Sequence, residues 1–364
     1  MTDQVKLETF LAQVGNRQDQ ETGAISLPIH LSTTYAHPKM GQSTGFDYTR
    51  TKNPTRSVLE EALAKLENGC EAFVTSSGMS AIQLVLGLFP KDSTFLVGRD
   101  LYGGSFRYFD YLEKQGIANF RYFDNFATTN ELLDDTVDAL FLETPTNPLM
   151  NEFSIEEAAQ LAKQVNALLI VDNTFLTPLR QKPLELGADI VIHSGTKFLA
   201  GHNDILAGVV VTNAPELAER LFWIANTTGP TLSPFDSWLF IRSLKTLPLR
   251  FERQEENAKY IAQELVKSPA IKEVLYPNAG GMISIRVTDE KKIADFLAAL
   301  KVFSFAESLG GVESLVTYPT TQTHADIPKE LRESYGLTPD LLRLSIGIEA
   351  KEDLVNDLLQ ALNA

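Results

Sequence analysis

Between residues 71 and 212 short β-rich runs alternate with amphipathic segments, and that rhythm leaves few architectures open. The strand candidates are Ala72–Thr75, Thr94–Val97, Phe120–Phe123, Ala139–Glu143, Leu168–Asp172, Asp189–His193 and Gly208–Thr212. Helical patterns fall between them at Met79–Leu88, Phe106–Lys114 and Ile155–Gln164. Strands alternating with helices predict an α/β fold, a mainly parallel seven-stranded sheet covered on both faces. After Thr212 the rhythm changes. Glu216–Thr227 and Phe235–Glu264 read as helices, the second long enough to link two domains and kinked at Pro248. Strands at Met282–Val287, Ser314–Tyr318 and Leu342–Ile346, with helices at Lys291–Leu300 and Lys351–Leu362, predict a smaller C-terminal α+β domain. The segment from Thr33 to Arg56 is rich in Gly, Thr, Pro and Tyr and reads as an extended arm. The expected division is an arm over 1–55, a large domain over 56–235 and a small one over 236–364.

Composition narrows the functional classes. The chain has 364 residues, 44% hydrophobic and 22% charged, as in ordinary soluble globular proteins. A net charge of −15 argues against nucleic acid or an anionic membrane surface as partner. The single cysteine, Cys70, excludes an intramolecular disulfide and is expected buried near a strand start. The N-terminus lacks a charged start followed by an apolar core, and no apolar run reaches membrane-span length, so a cytoplasmic protein is expected. The five histidines, at 30, 37, 193, 202 and 324, lack ligand spacing, so no metal is assigned, and His193 reads as a packing residue.

Four polar sites follow strand candidates in order. His193-Ser194-Gly195-Thr196-Lys197-Phe198 places a lysine beside two hydroxyls and a glycine at the end of an apolar strand. Burial lowers a lysine's pKa toward the range where its amine is nucleophilic and can form a Schiff base with an aldehyde cofactor. The alternative is a surface lysine. Asp172 ends the run Leu168–Val171, where open α/β sheets bind ligands, though a lone Asp is also a common turn or cap residue. Asn147 stands between Pro145-Thr146 and Pro148, which restrict its backbone. Ala72–Ser80 runs strand, small-residue turn, helix, and presents backbone N–H groups and a helix dipole to an anion.

With these motifs stand Phe46-Asp47-Tyr48-Thr49-Arg50, Asn53-Pro54-Thr55, Tyr102-Gly103-Gly104, Glu307-Ser308-Leu309-Gly310-Gly311 and Arg343-Leu344-Ser345. Together they resemble the transsulfuration, or Cys/Met-metabolism, enzymes of the fold-type I pyridoxal phosphate class, which is aspartate aminotransferase-like. The resemblance runs from about residue 46 to 347. It implies pyridoxal 5'-phosphate as cofactor, Lys197 as its Schiff-base lysine and proton carrier, and Asp172 as partner of the pyridine nitrogen. It also implies Asn147 near the ring hydroxyl and Tyr102 stacked on the ring. Gly78, Met79, Ser194 and Thr196 would hold the phosphate. Tyr48 and Arg50 would reach a neighbouring subunit's phosphate, Tyr48 serving also as an acid–base candidate, in a dimer-based homotetramer. Residue by residue the plainer alternatives are a solvated arm for Tyr48 and Arg50, a half-buried core aromatic for Tyr102, and a structural salt bridge for Arg343. By resemblance Arg343 binds the substrate α-carboxylate.

Glu307, with Ser308 beside it, is expected at the substrate. A glutamate there resembles cystathionine γ-synthases and γ-lyases, whereas β-lyases carry an aromatic residue. Gly103-Gly104 lacks the cysteine of methionine γ-lyases. The segment Gln42–Tyr48 looks most like bacterial cystathionine γ-synthases and O-acetylhomoserine thiol-lyases. The implied reaction joins an O-acylhomoserine, acetyl favoured, to cysteine or sulfide by γ-replacement in methionine biosynthesis. The rivals are a cystathionine γ- or β-lyase, a silent binding protein on the same fold, and a nicotinamide dehydrogenase, which the missing Gly-x-Gly-x-x-Gly disfavours. Two stretches depart from the family pattern: only Asn278-Ala279 separates Pro277 from Gly280, and Ser243 stands where glycine is common.

Overall fold

The computed structural model describes residues 5–129 and 131–364. Residues 1–4 of the expected arm, and the start of the N-terminal segment read above, lie outside the described residues. Twelve strands are found among the described residues: β1 Glu71–Thr75, β2 Ser93–Gly98, β3 Ala118–Phe123, β4 Val137–Glu143, β5 Leu168–Asp172, β6 Ile190–Ser194, β7 Gly208–Thr212, β8 Ile271–Leu275, β9 Met282–Val287, β10 Ser304–Phe305, β11 Leu315–Thr317 and β12 Leu341–Ser345. The first seven form one mainly parallel sheet in the order β1-β7-β6-β5-β4-β2-β3. All seven expected strands are present, with ends moved by one or two residues.

The chain divides into two compact units, Met1–Pro90 with Lys182–Pro248, and Lys91–Gln181 with Leu249–Ala364. In the first, β7 runs antiparallel to both β1 and β6. Helix Gly78–Leu86 packs on β6 and β7, and helix Pro215–Thr228 on β1. A helix unforeseen in the sequence, Pro54–Glu67, packs on β1 and on helix Pro234–Leu244. Its start explains the Asn53-Pro54-Thr55 motif. The Asn53 side chain accepts from the amides of Thr55 and Arg56 at 2.9 and 3.2 Å, and Pro54 occupies the first turn, where its missing N–H costs nothing.

Cys70 is exposed, not buried as expected. It lies in the turn leading into β1, which is an edge strand, and its N–H donates to the carbonyl of Thr212. The expected single helix Phe235–Glu264 is two, Pro234–Leu244 and Leu247–Leu265. The break falls at Lys245-Thr246, so Pro248 sits in the opening turn of the second helix and kinks nothing.

In the second unit β2 pairs in parallel with β3 and β4, and β4 with β5. A second sheet runs β10-β11-β12-β9-β8. Helices Leu247–Leu265, Ile293–Ala299 and Lys351–Leu362 bury Ile261, Leu265, Phe296, Leu354 and Leu358 against Ile283, Ile285, Leu342 and Leu344 of that sheet. The shortened stretch at Asn278 is tied down: the Gly280 amide donates to Glu255 at 2.9 Å, the Tyr276 hydroxyl donates to the Gly280 carbonyl, and Arg180 pairs with Glu255 at 3.0 Å. Ser243 is buried, with its hydroxyl 3.2 Å from His202 Nδ1. Among the described residues no helix is long and apolar enough to cross a membrane.

Candidate active site

In the first unit the phosphate-type turn and the lysine segment meet. Ser77 and Ser80 close a reciprocal cap at the start of helix Gly78–Leu86, each side chain accepting the other's backbone N–H at 3.1 and 2.9 Å. A Cβ built on Gly78 would lie 3.0 Å from the Cβ of Ser194, so the glycine is what lets the helix start approach the end of β6. Half-buried Met79 follows in the first turn. Beyond Ser194 the chain turns. Lys197 N–H donates to the Ser194 carbonyl at 3.1 Å, and Thr196 Oγ1 accepts from the Ala207 amide at 2.9 Å. Lys197 and Thr196 are half-buried. His193, just before, is fully buried with Nε2 2.6 Å from Glu67.

The arm with Tyr48 and Arg50 belongs to the same unit and is held by backbone. Arg56, buried and paired with Glu60, donates to the carbonyls of Thr49, Arg50 and Thr51 at 2.7, 3.2 and 3.2 Å. Asn53 donates to the carbonyl of His30 at 2.8 Å. The arm's shape is therefore fixed while both candidate side chains stay exposed, the Arg50 guanidinium lying 5.2 Å from the Tyr48 ring centre.

In the second unit three acids gather at the carboxyl ends of neighbouring parallel strands, where ligands bind in such sheets. Asp100 follows β2, Glu143 ends β4 and Asp172 ends β5; Glu143 and Asp172 are partners in register. All three are buried. The Thr174 amide donates to Asp172 at 3.0 Å. Glu143 accepts the Tyr102 N–H at 2.8 Å. Burial, and then the charge of Asp172, hold the Glu143 carboxyl well above the usual carboxylate range.

Tyr102 is 37% exposed and heads helix Gly103–Lys114. The two glycines after it have distinct causes. A Cβ on Gly103 would stand 2.0 Å from the Thr323 carbonyl, and one on Gly104 would stand 2.4 Å from the Tyr102 ring. Asn147, 3% exposed, lies between two cis-prolyl bonds and accepts from Arg343 Nη1 through Oδ1 at 2.8 Å.

Arg343, 1% exposed, also donates from Nη2 to the Ser308 carbonyl and to Thr317 Oγ1, both at 3.1 Å. Its Nε has no partner among the described residues. A guanidinium buried this way needs an anion. Among the described residues its partners are an amide oxygen, a carbonyl and a hydroxyl, which removes the structural salt bridge as an explanation. Burial lowers its pKa to about 10, opposed by the more distant charges of Tyr102, Glu143 and Glu307. Ser308 has a left-handed backbone (φ 87°), and its loop is fastened by Gln254 to the Gly311 carbonyl at 2.8 Å and by Ser345 to the Gly310 amide at 2.8 Å. Glu307 is exposed on that loop.

Thus Asn147, Arg343 and Ser308 form one contact group, Tyr102, Glu143 and Asp172 a second, and Gly78 with Ser194 a third. His324 and Asp100 were not singled out from sequence. His324 is buried against the Leu101 and Asn147 carbonyls, and Asp100 accepts from Thr146 and Asn151.

The donor set suits pyridoxal phosphate. In the first unit hydroxyls and a helix start surround the Gly78 approach; in the second, acids stand at strand ends, and among the described residues the buried Arg343 guanidinium has neutral hydrogen-bond partners. A sequence model described as Cys/Met metabolism PLP-dependent enzyme matches residues 8–363. Cystathionine gamma-synthase of Haemophilus influenzae is 53% identical over 99% of both chains. The cystathionine gamma-synthase/O-acetylhomoserine (thiol)-lyase of Bacillus subtilis is 53% identical over 98% of this chain and 96% of its own. Cystathionine lyases are among the relatives too, as with the cystathionine beta-lyase of Lactococcus lactis subsp. cremoris, 44% identical over 98% of both chains. Among solved structures, cystathionine gamma synthase from Xanthomonas oryzae pv. oryzae in complex with aminoacrylate and cysteine superposes with a TM-score of 0.96 at 39% identity, over 99% of this chain and 98% of that one.

Proposed function

The chain belongs to the Cys/Met-metabolism enzymes that depend on pyridoxal phosphate, and from that premise we propose that it joins O-acetylhomoserine to L-cysteine, giving L-cystathionine by γ-replacement. Pyridoxal phosphate, when bound, supplies an electron sink for charge developing on the substrate's α and β carbons. The observation that carries the reading is Arg343, a buried guanidinium that among the described residues is bonded to neutral acceptors. An amino-acid carboxylate is the anion that fits it, and Asn147 Oδ1 aims the fork.

Lys197 binds the cofactor and, once freed, takes the α proton and moves a β proton on one face of the substrate. With the cofactor bound, Asp172 would keep its ring nitrogen protonated, Asn147 would serve its ring hydroxyl, and Tyr102, its N–H held by Glu143, would stack on the ring. The amides of Gly78 and Met79 and the hydroxyls of Ser194 and Thr196 would hold the phosphate. Tyr48 and Arg50, exposed on a fixed arm, serve a neighbouring subunit's phosphate in a dimer-based homotetramer. Glu307, with Ser308, faces the amino group of the incoming cysteine. The acetoxy group leaves Cγ and the thiol sulfur bonds there.

The test is product identification by mass. Cofactor-loaded protein is incubated with O-acetylhomoserine plus cysteine, with O-succinylhomoserine plus cysteine, and with cystathionine alone. Cystathionine from the acetyl ester is the expected result. Cleavage of cystathionine with neither ester consumed overturns the synthase reading in favour of a lyase.

A further inference from the structure

We infer that His324 is a positioning residue whose single N–H ties the Tyr102 segment to Asn147, so that one imidazole sets both the cofactor-ring residue and the carboxylate clamp; this rests on the roles proposed above for Tyr102, Asn147 and Arg343. The side chain is 1% exposed. Its Nε2 lies 3.2 Å from the Leu101 carbonyl and 3.0 Å from the Asn147 carbonyl. Carbonyls only accept, so Nε2 carries the hydrogen. Nδ1 is then an acceptor and takes the Thr323 hydroxyl at 2.8 Å. The tautomer is fixed by its neighbours. Burial and the charge of Arg343 keep the ring neutral, with a pKa of about 3, so this one-donor arrangement holds across any working pH.

The two carbonyls come from segments distant in sequence, one following β2 and one following β4. Leu101 precedes Tyr102, so holding its carbonyl sets where the tyrosine leaves the chain. Asn147 is gripped twice, by His324 at its main-chain carbonyl and by Arg343 at its side-chain oxygen. The histidine itself stands on a braced loop. Arg332 donates to the carbonyls of Thr320 and His324 at 2.6 and 3.2 Å, and Thr323 presses against Gly103 where a Cβ would not fit. An apolar residue at 324 leaves two buried carbonyls without their donor and frees Asn147 to turn away from Arg343.

The experiment compares His324→Phe, which keeps a ring and loses both nitrogens, with His324→Gln, which restores an N–H near the Nε2 position. Thr323→Val, which removes the hydroxyl that fixes the tautomer, is measured alongside. In cofactor-loaded protein His324→Phe should raise KM for the acyl-homoserine about tenfold, roughly the factor one net hydrogen bond carries. It should lower kcat less, and shift the visible circular-dichroism band of the bound cofactor. His324→Gln should return both readouts most of the way, and Thr323→Val should move both in the same direction as His324→Phe by a smaller factor. An unchanged KM and an unchanged band in His324→Phe overturn the inference; if that variant does not fold, unchanged values in Thr323→Val do so. A wild-type protein with no visible cofactor band overturns the functional reading instead, so the two failures are separable.

Discussion

Replacing Asp100 by asparagine tests how the second unit stores charge. The Asp100 carboxyl is 8% exposed and accepts from Thr146 Oγ1 and, at 3.3 Å, from Asn151 Nδ2, on the loop that carries Asn147. Burial pushes it from the ordinary 3.8 up to about 6, against the opposing pull of hydrogen bonds from Thr146, the Leu149 amide and Asn151. Because the folded-state pKa lies above the unfolded one, the contribution to stability is fully present below the unfolded pKa and is lost as pH rises through about 6. A shift of roughly two units corresponds to about 3 kcal/mol in total, of which about half develops between pH 5 and 8. Asparagine keeps an oxygen for Thr146 and Asn151 and cannot ionise. Urea unfolding of cofactor-loaded protein at fixed concentration should therefore show Asp100→Asn gaining on the order of 1 to 2 kcal/mol on the wild type from pH 5 to pH 8. A difference between the two proteins that stays flat with pH would refute the reasoning, because it would mean that Asp100 does not carry a raised pKa in the folded state.

Other substitutions bear on the site directly. Lys197→Ala should abolish turnover and the visible absorption of lysine-bound cofactor while the melting curve of the apoprotein is retained. Arg343→Lys cannot reproduce the forked contacts to Asn147, Ser308 and Thr317, and steady-state kinetics should show KM for the amino-acid substrate raised about 100-fold, roughly two charge-assisted hydrogen bonds. Gly103→Ala places a carbon 2.0 Å from the Thr323 carbonyl, so chemical denaturation should register a loss of about 3 kcal/mol. Glu143→Gln keeps the acceptor for the Tyr102 N–H and removes a carboxyl whose pKa is raised by burial and Asp172. Its melting temperature should match the wild type at low pH and exceed it as pH rises; the reverse order would show that Glu143 is stabilised as a carboxylate.

The parallel strands were legible because a strand buried on both faces leaves a near-continuous apolar run, as in Ala139–Leu142 and Leu169–Val171. Elements governed by position within the fold were not. Cys70 is as small and apolar as a core residue, and its place in the bend before β1, outside the buried strand itself, leaves it exposed. Pro248 reads as a kink because sequence alone does not say where a helix starts, and the same residue in a first turn is harmless. Asn53-Pro54 carried a readable signal, a capping residue followed by a proline at the first helical position, which could have located helix Pro54–Glu67. Lys197, Asp172, Asn147 and Arg343 each stand in a local motif. Asp100 and His324 do not: Asp100 joins Glu143 and Asp172 only because β2 lies beside β4, and His324 reaches Leu101 and Asn147 from more than 170 residues away.

The arrangement of buried charge in the second unit argues for a ligand more strongly than any single residue. Asp100, Glu143 and Asp172 line adjacent strand ends, and Arg343 is buried in the same unit, yet the guanidinium pairs with none of them. A buried guanidinium joined to a buried acid regains in Coulomb attraction part of what its desolvation costs, and Arg343 forgoes that. Among the described residues it donates to Asn147, Ser308 and Thr317, while Glu143 accepts from the Tyr102 amide and Asp100 from Thr146. These polar contacts fix the arrangement and leave the charge of Arg343 against neutral groups. A molecule that presents a carboxylate to Arg343 would supply the anion this arrangement withholds, which is what an amino-acid substrate carries.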